Sequence, residues 1–418
     1  MNANTVINSC DEMDTETGKT YEPMQRKQRR PEPRRKGHGG SAGGGMHCRS
    51  NKSHTWGTGA GARLADLRAF AGAVALVVFA LLSPASAVDN AIVWKEVGSF
   101  GNAPNPNTGL GRVTYDYKIS AYDTTISQYV DFLNGSDAGK KGQYGVYSSS
   151  IGTTPSNSTP AITQGGSAGS YTYSLSNSSF ANQPVNLVNW FSAARFVNWY
   201  ANDKSAAATA TETGSYTLIN GQTTGSIVAR NANAKIFLPS ADEWTKAAFY
   251  NATAQNYYLW PTTSNTKPTA AEPTGTELVT TPNTANFKIA DAAADTLKLT
   301  NVGTYVNTTS TYGLFDMLGN VTQMSDTTGT GANAGLFQAF GGSYASTSTQ
   351  MDQFWSSDPT SGAQFRNGGS ATATTGFRVA AISVPEPGNM VAAAMGIGGL
   401  FGFQIMKRRK LALARAAG

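Results

Sequence analysis

Three segments in the middle of the chain carry the apolar spacing of amphipathic helices. In Thr124–Asn134 the apolar residues recur three and four positions apart behind a threonine cap. Asn189–Tyr200 repeats this spacing, and Ser240–Glu243 is a capping box that leads into a further apolar face. We therefore predict three helices, and we expect the carboxylates of Asp242 and Glu243 to serve the helix N-terminus rather than acid–base chemistry.

Strand and loop signals surround these helices. Ile92–Val97 and Val113–Ile119 alternate apolar and polar residues as strands do, on either side of the Gly/Asn/Pro-rich loop Gly98–Gly111. Two stretches rich in Ser, Thr, Gly and Asn, Tyr144–Tyr171 and Ser205–Ala234, have the composition of long surface loops. The mixture predicts an α+β fold, and the absence of an obvious linker predicts a single domain.

An apolar run near the N-terminus has the features of an export signal. Arginines precede Ala69–Leu82, and Ala85 and Ala87 then stand in the small-residue pattern of a cleavage site. The alternative is a membrane helix, but about 14 apolar residues are fewer than the roughly 20 that span a bilayer. We predict a signal peptide over residues 61–87 and a mature domain over residues 88–383.

The first 60 residues are Gly-rich, polar and strongly basic, with little apolar surface to bury. This composition predicts disorder in residues 1–60. Signal peptides rarely follow so long a leader, so two possibilities stay open. Translation starts at Met46, or the leader is a genuine extension.

Three elements follow the domain in a set order: a proline motif, an apolar run over residues 389–406 and the basic cluster Lys407–Lys410. The motif consists of Val384, Pro385, Glu386 and Pro387. The run is near the lower length limit for a membrane helix, and the basic cluster places the C-terminus in the cytoplasm. We predict a transmembrane helix over residues 389–406, and a core helix is the alternative.

This tail, residues 384–418, resembles the PEP-CTERM sorting signal of Gram-negative bacteria. The resemblance implies that an exosortase-type transpeptidase recognises the motif, removes the tail and passes the protein to the cell surface or the extracellular matrix. Until that step, the C-terminal helix would anchor the exported protein in the membrane.

Charge excludes one class of partner. The whole chain carries a formal charge of +6, but residues 88–383 contain 15 Lys and Arg against 18 Asp and Glu, which gives −3. A weakly acidic domain lacks the basic surface that nucleic acid requires, so we expect no nucleic-acid partner.

All cysteines and histidines precede the predicted cleavage point: Cys10, His38, His47, Cys48 and His54. A mature chain without these residues excludes disulfides, thiolate nucleophiles and Ser-His-Asp triads. It also leaves no imidazole or thiolate for copper, iron or zinc, and we expect none of these metals.

The stretch Tyr312–Asp326 combines two glycines, two amides and two carboxylates with apolar residues. Hard cations prefer such oxygen ligands, and glycine lets the backbone curl around an ion. Composition alone leaves two possibilities: a cation-binding loop, or a structural turn between strands.

Six short motifs, taken in order, resemble the formylglycine-generating enzyme (sulfatase-modifying factor) domain. They are Tyr117–Ser120 with Asp123–Asn134, Gln183–Trp190, Phe237–Trp244, Tyr312–Val321, Gly341–Tyr344 and Gly376–Arg378. The resemblance covers nearly all of the predicted mature chain. It implies an irregular α+β fold, related to C-type lectins, with little regular secondary structure.

The resemblance implies the fold of the family but not its catalytic chemistry. The family's oxidases bind copper through a cysteine pair just after the Gly-Gly-Ser motif, and Ser346 and Met351 stand at those positions here. The related ergothioneine-pathway oxygenases use iron-binding histidines, which the mature chain also lacks. Phe237 replaces a family arginine. Arg378 is expected to pair with a buried carboxylate, and substrate binding is the alternative.

The same resemblance implies a structural calcium ion. Its ligands would be the Asp316 side chain, the backbone carbonyls of Gly319 and Val321, and Gln323. Gln323 stands where the family has a glutamate, which lowers the charge of the site and with it the affinity. A second calcium site would use Asn286, the Phe287 carbonyl and Asp295. The alternative is a set of ion-free loops held by hydrogen bonds.

We therefore expect an exported, surface-sorted, non-catalytic member of this family. It would act as a binding or extracellular-matrix module, with exopolysaccharide as a partner. The alternative is an enzyme that uses carboxylate, serine or tyrosine chemistry in the family cleft.

Overall fold

Short strands and helices are separated by long irregular segments in the computed structural model, which describes residues 90–271, 278–289, 298–352 and 364–383. The strands are β1 (Trp94–Val97), β2 (Tyr117–Ser120), β3 (Ile162–Gly165), β4 (Thr172–Leu175), β5 (Ile236–Phe237), β6 (Tyr250–Asn251), β7 (Asn256–Tyr257), β8 (Thr269–Ala270), β9 (Thr284–Ala285), β10 (Thr322–Thr328), β11 (Phe337–Phe340), β12 (Gln364–Arg366), β13 (Thr375–Gly376) and β14 (Ala380–Ile382). The helices are α1 (Ile126–Gly135), α2 (Asp137–Lys141), α3 (Trp190–Ala201), α4 (Ala241–Phe249) and α5 (Ser348–Asp352). The predicted α+β fold with little regular secondary structure is confirmed.

Several predicted features lie outside the described residues: the leader 1–60, the signal peptide 61–87, the sorting motif 384–387, the transmembrane helix 389–406 and Asp295. Within the described ranges, none of the helices combines the length and the apolar character needed to cross a membrane.

Two four-stranded sheets frame the domain. The first has the order β1-β2-β14-β5 and is antiparallel throughout. The second has the order β12-β11-β10-β13, and only its β10–β13 pair is parallel. Both predicted strands near the N-terminus exist, as β1 and β2. β2 starts later than Val113 because the Val113 backbone bonds instead to Gly101 and to the Asn102 side chain in the preceding loop.

The three predicted helices are present as α1, α3 and α4, each with a side-chain cap. At α4 the predicted capping box is confirmed: Ser240 Oγ accepts the Glu243 N–H at 3.1 Å, and Glu243 Oε2 accepts the Ser240 N–H at 2.6 Å. Thr125 and Gln128 form a second capping box at α1, and Asn189 caps α3. These side chains satisfy backbone donors that have no partner within the helix.

The two stretches predicted as surface loops are more buried than their composition indicates. Tyr144–Tyr171 contains β3, which forms a hairpin with β4, and its Ile162 is buried. Ser205–Ala234 is mainly irregular, yet Tyr216 is fully buried and bonds through its backbone N–H and carbonyl to the Asn198 amide of α3. Most residues of both stretches are exposed or half-buried, but at Tyr216 the prediction was wrong, because a side-chain amide can satisfy the backbone of an irregular segment inside the core.

One large apolar cluster holds the helices against both sheets. The ring of Phe196 in α3 lies 5.6 Å from that of Phe132 in α1 and 5.2 Å from that of Phe377, which follows β13. Trp244 in α4 stacks on Phe340 in β11 at 4.9 Å. Aromatic pairs of this kind add to the stabilisation from apolar burial. Phe377, in the segment between β13 and β14, therefore packs against helix α3, and the next residue in that segment is Arg378.

Candidate functional site

A buried arginine occupies the segment that links the two sheets. Arg378 has no exposed surface, and its guanidinium group donates four hydrogen bonds: Nε to Gln323 Oε1 at 2.7 Å, Nη1 to the Ser120 carbonyl at 3.0 Å, and Nη2 to Asp123 Oδ1 at 3.1 Å and to the Phe315 carbonyl at 2.8 Å. The expected pairing with a buried carboxylate is present, and the carboxylate is Asp123. Asp123 Oδ2 has no hydrogen-bond partner among the described residues.

The Arg378–Asp123 pair is closed to solvent on both sides. Burial raises the pKa of the Asp123 carboxyl well above its usual range, while the guanidinium opposes this rise. Burial also lowers the pKa of Arg378, and Asp123 opposes that change. Because each charge depends on the other for compensation, removing either one leaves an unpaired group in the interior. This arrangement suits a structural link rather than a ligand contact.

Every polar atom of the Gln323 side chain is used in the same network. Its Oε1 accepts hydrogen bonds from Trp244 Nε1 at 2.6 Å and from Arg378 Nε at 2.7 Å. Its Nε2 donates to the backbone carbonyl of Asp316 at 2.6 Å. Gln323 therefore joins the loop before β10 to helix α4 and to the buried arginine.

The loop before β10 is held in an unusual backbone conformation. Asp316, Gly319 and Asn320 have positive φ angles of 55°, 80° and 62°. A Cβ atom on Gly319 would lie 2.2 Å from the Asn286 carbonyl oxygen, which accepts the Asn320 N–H at 2.8 Å. Glycine is required at this position by both the conformation and the close approach.

The Asp316 carboxylate and the Gln323 side chain have different hydrogen-bond partners. Asp316 Oδ2 accepts the backbone N–H of Gly303 at 2.7 Å, and burial raises the pKa of this carboxyl to about 6. Asp316 lines a cavity of about 10 Å³ together with Thr262, Thr284 and Thr308. This space holds one particle of the size of a water molecule.

The contacts of Gln323 do not fit the calcium ligand set that the resemblance implied. Calcium takes about six to eight oxygen ligands, but the only side-chain oxygen of Gln323 faces two donors, one of them a guanidinium cation. Within the described ranges, no group of three or more His, Cys, Asp or Glu side chains could hold a metal ion.

The other predicted ligands are only partly brought together. Asn286 and Gly319 meet through a backbone bridge, and Asn286 Nδ2 donates to Asn320 Oδ1 at 3.3 Å. Phe287 and Val321 are buried in two separate apolar clusters. These contacts favour the alternative of loops held by hydrogen bonds, and calcium binding stays a prediction.

The residues at the positions of the family's cysteine pair lie close together. A Cβ atom on Gly342 would be 2.4 Å from Met351 Sδ and 3.3 Å from Ser346 Oγ. Both side chains are buried, and Ser346 Oγ accepts the Ser343 N–H at 3.0 Å. The fold thus brings the two positions together, but a hydroxyl and a thioether replace the two thiols.

Sequence reasoning missed a second charged cluster, which joins the start of α4 to β10. Arg230 donates two hydrogen bonds to the Glu243 carboxylate, at 2.8 and 2.9 Å, and one to Asp326 Oδ2 at 2.6 Å. Tyr216 donates its hydroxyl to the same Asp326 oxygen at 2.9 Å. The Arg230 guanidinium lies 3.7 Å from the ring centroid of Phe237. Phe237, which replaces a family arginine, therefore packs against another arginine.

The two carboxylates of this cluster differ in their electrostatics. Burial acts to raise the pKa of Glu243, but the two hydrogen bonds and the charge of Arg230 outweigh it, so the pKa lies below its ordinary value. At Asp326 burial dominates and the pKa is raised. Glu243 was visible in the sequence as part of a capping box, whereas no spacing signal marks Arg230 as its partner.

A comparison of the sequence with models of known protein families finds one match. The model of the sulfatase-modifying factor enzyme 1-like domain matches residues 90–382. The chain therefore belongs to this family, and the predicted resemblance is confirmed.

Three solved structures are similar to this chain at low sequence identity. CarF is 16% identical over 70% of this chain and 99% of its own, with a TM-score of 0.45. Treponema denticola variable protein 1 is 16% identical over 70% and 95%, with a TM-score of 0.38. PvdO from Pseudomonas aeruginosa is 15% identical over 71% and 96%, with a TM-score of 0.39. A search of curated proteins finds no significant match.

Proposed function

We propose that this chain is a non-catalytic member of the sulfatase-modifying factor family that acts outside the cell as a binding module for exopolysaccharide. The observation that carries this proposal is the pair Ser346 and Met351. These side chains converge beside Gly342, where the resemblance places the copper-binding cysteines, and neither can form a copper–thiolate bond.

The buried network around Arg378 supports the same proposal. All three nitrogens of the Arg378 guanidinium and both polar atoms of the Gln323 side chain bond to the protein itself, so this part of the domain serves the scaffold. Such a scaffold leaves the surface loops free to carry binding residues.

Export and sorting belong to the proposal as well. The signal peptide over residues 61–87 would deliver the protein across the inner membrane, and an exosortase-type transpeptidase would act at Val384–Pro387. Deleting residues 384–418 is expected to turn a surface-retained protein into a freely released one. Unchanged retention of the deleted protein would contradict the sorting role.

A glycan array, probed with and without calcium, tests the binding function. We expect binding to at least one polysaccharide class, with little dependence on calcium because Gln323 Oε1 is already hydrogen-bonded. Failure on every glycan, together with measurable hydrolytic activity, would reverse the proposal in favour of an enzyme.

One observation favours the enzyme alternative. Glu243 and Asp326 share Arg230, and their pKa values are pushed in opposite directions, as is typical of acid–base pairs. Against this, Glu243 and Asp326 are almost fully buried and bind Arg230 directly. We therefore rank a structural role for this cluster above catalysis.

A further inference from the structure

A cleft between the N-terminal loop and the β6–β7 hairpin has the size and lining of a ligand site. Its volume is about 340 Å³, and it is lined by Ala103, Pro104, Asn105, Pro106, Asn107, Gln255, Asn256, Tyr257 and Tyr258. Small-molecule sites start at about 300 Å³.

Tyr257 joins the two walls of this cleft. Its hydroxyl accepts a hydrogen bond from Asn102 Nδ2 at 2.7 Å and lies 2.8 Å from the Ala103 carbonyl and 2.9 Å from the Gly111 carbonyl. The ring of Tyr257 also packs against that of Tyr250, with centroids 5.1 Å apart. The cleft is therefore preformed, which reduces the entropy lost when a ligand binds.

Asn105 forms part of the cleft lining with an unused donor. The residue is 1% exposed, its Oδ1 accepts the Asn107 N–H at 3.0 Å, and its Nδ2 has no partner among the described residues. A buried donor without a partner costs about 1–3 kcal/mol. A ligand oxygen that reached this amide would remove that cost.

The chemistry of the lining selects the ligand class. No charged side chain lines the cleft; its polar groups are the amides of Asn105, Asn107, Gln255 and Asn256 and the tyrosine hydroxyls. Amides and hydroxyls both donate and accept, which matches the hydroxyl groups of a sugar. The rings of Tyr258 and the two prolines offer apolar surfaces for the C–H faces of a pyranose.

Tyr258 combines an aromatic ring with a hydroxyl group that can donate a hydrogen bond. Asn251 Nδ2 donates to the Tyr258 hydroxyl oxygen at 3.1 Å. That bond orients the ring and leaves the hydroxyl hydrogen to be donated. We propose that this cleft binds a neutral saccharide, with Tyr258 as the stacking platform and Asn105 and Asn256 as hydrogen-bonding residues.

This inference rests on the proposed polysaccharide-binding function and assigns it a site. A second cleft of similar size, about 380 Å³, is lined in part by the exposed Asn182. The second cleft provides a matched control: Asn256→Ala removes an exposed amide from the proposed site, and Asn182→Ala removes an exposed amide from the second cleft. Asn105→Asp keeps the acceptor for the Asn107 N–H, removes the donor and adds a carboxylate at a buried position, so its melting temperature is measured together with its affinity.

The test uses an array of neutral and acidic oligosaccharides and a proline-rich peptide, followed by calorimetric titration of the strongest hit. We expect a neutral oligosaccharide to bind with no dependence on salt. Tyr258→Ala, Asn256→Ala and Asn105→Asp should each weaken binding about tenfold or more, which corresponds to roughly 1.4 kcal/mol. Asn182→Ala should leave affinity within about twofold.

Other outcomes overturn the assignment. Loss of binding in Asn182→Ala with normal binding in the Tyr258 and Asn256 variants would leave the proposed function intact and refute this site. Preference for an acidic saccharide or for the peptide would refute the ligand class. No binding to any saccharide would refute both. Unchanged melting temperatures of the variants would confirm that the measured losses are not due to unfolding.

Discussion

Replacing Arg378 with methionine tests whether the buried arginine is a scaffold residue. The substitution keeps an unbranched side chain but removes four hydrogen bonds and leaves Asp123 unpaired. Both partners are fully buried, and removing one member of such a pair typically costs about 3–5 kcal/mol. We expect a loss of this size in urea unfolding at neutral pH.

The matched control is Lys118→Met in the adjacent strand β2. Lys118 pairs with Glu96 at 3.1 Å, but their side chains are 28% and 61% exposed. Surface pairs of this kind contribute about 1 kcal/mol or less. The double variant Asp123→Leu/Arg378→Met should recover part of the loss, because it leaves no uncompensated charge.

The Arg378→Met loss should also depend on pH. Burial raises the pKa of Asp123, so its charged form destabilises the fold as the pH rises. Removing the arginine strengthens this effect, and the destabilisation should therefore shrink as the pH is lowered towards the ordinary aspartate pKa of about 4. A loss as small as that of Lys118→Met would refute the scaffold role. A normally stable variant that loses ligand binding would establish the substrate-binding alternative.

Three further predictions concern the capping cluster, the glycine of the loop and calcium. Glu243→Gln should destabilise the protein by about 3 kcal/mol near neutral pH, because Arg230 loses one of its two charged partners and keeps only Asp326. Since the pKa of Glu243 is lowered in the folded protein, this difference should persist down to the ordinary glutamate pKa of about 4.3 and shrink as the pH falls further through the lowered pKa. A pH-independent difference in urea titrations would contradict the assignment. Gly319→Ala should lower the melting temperature far more than Gly101→Ala. Both positions have a positive φ, but only at Gly319 does a backbone atom lie 2.2 Å from the new Cβ. Equal changes in melting temperature would show that the backbone around Gly319 can move to accommodate a methyl group. The melting temperature should be the same in excess calcium and in chelator, whereas a calcium-dependent rise that disappears in Asp316→Ala would establish the calcium site.

Local signals in the sequence predicted much of the fold. The Ser240–Glu243 capping box marks the start of α4, and the apolar spacing marks α1 and α3, because these features act over a few residues. The order of motifs was enough to predict the family. The buried residues within the long loops, such as Tyr216, were not predicted, since their burial depends on partners such as Asn198 that lie on another element.

The remaining features of the site were not predicted because they depend on contacts between residues that lie far apart in the chain. Arg378 was expected to pair with a carboxylate, but Asp123 lies 255 residues away in the chain. Arg230 lies in a polar stretch with no recognisable pattern, and only the fold brings it to Glu243 and Phe237. The cleft around Asn105 likewise depends on the approach of the β6–β7 hairpin to the N-terminal loop.

Oxygen consumption in the presence of copper and a cysteine-containing sulfatase-motif peptide tests whether this chain has lost the oxidase activity of its family. We predict no copper-dependent turnover above a peptide-only control, because Ser346 and Met351 cannot provide the two thiolates. Copper-dependent oxygen uptake with formation of formylglycine would contradict it, and would show that the family chemistry survives on other residues.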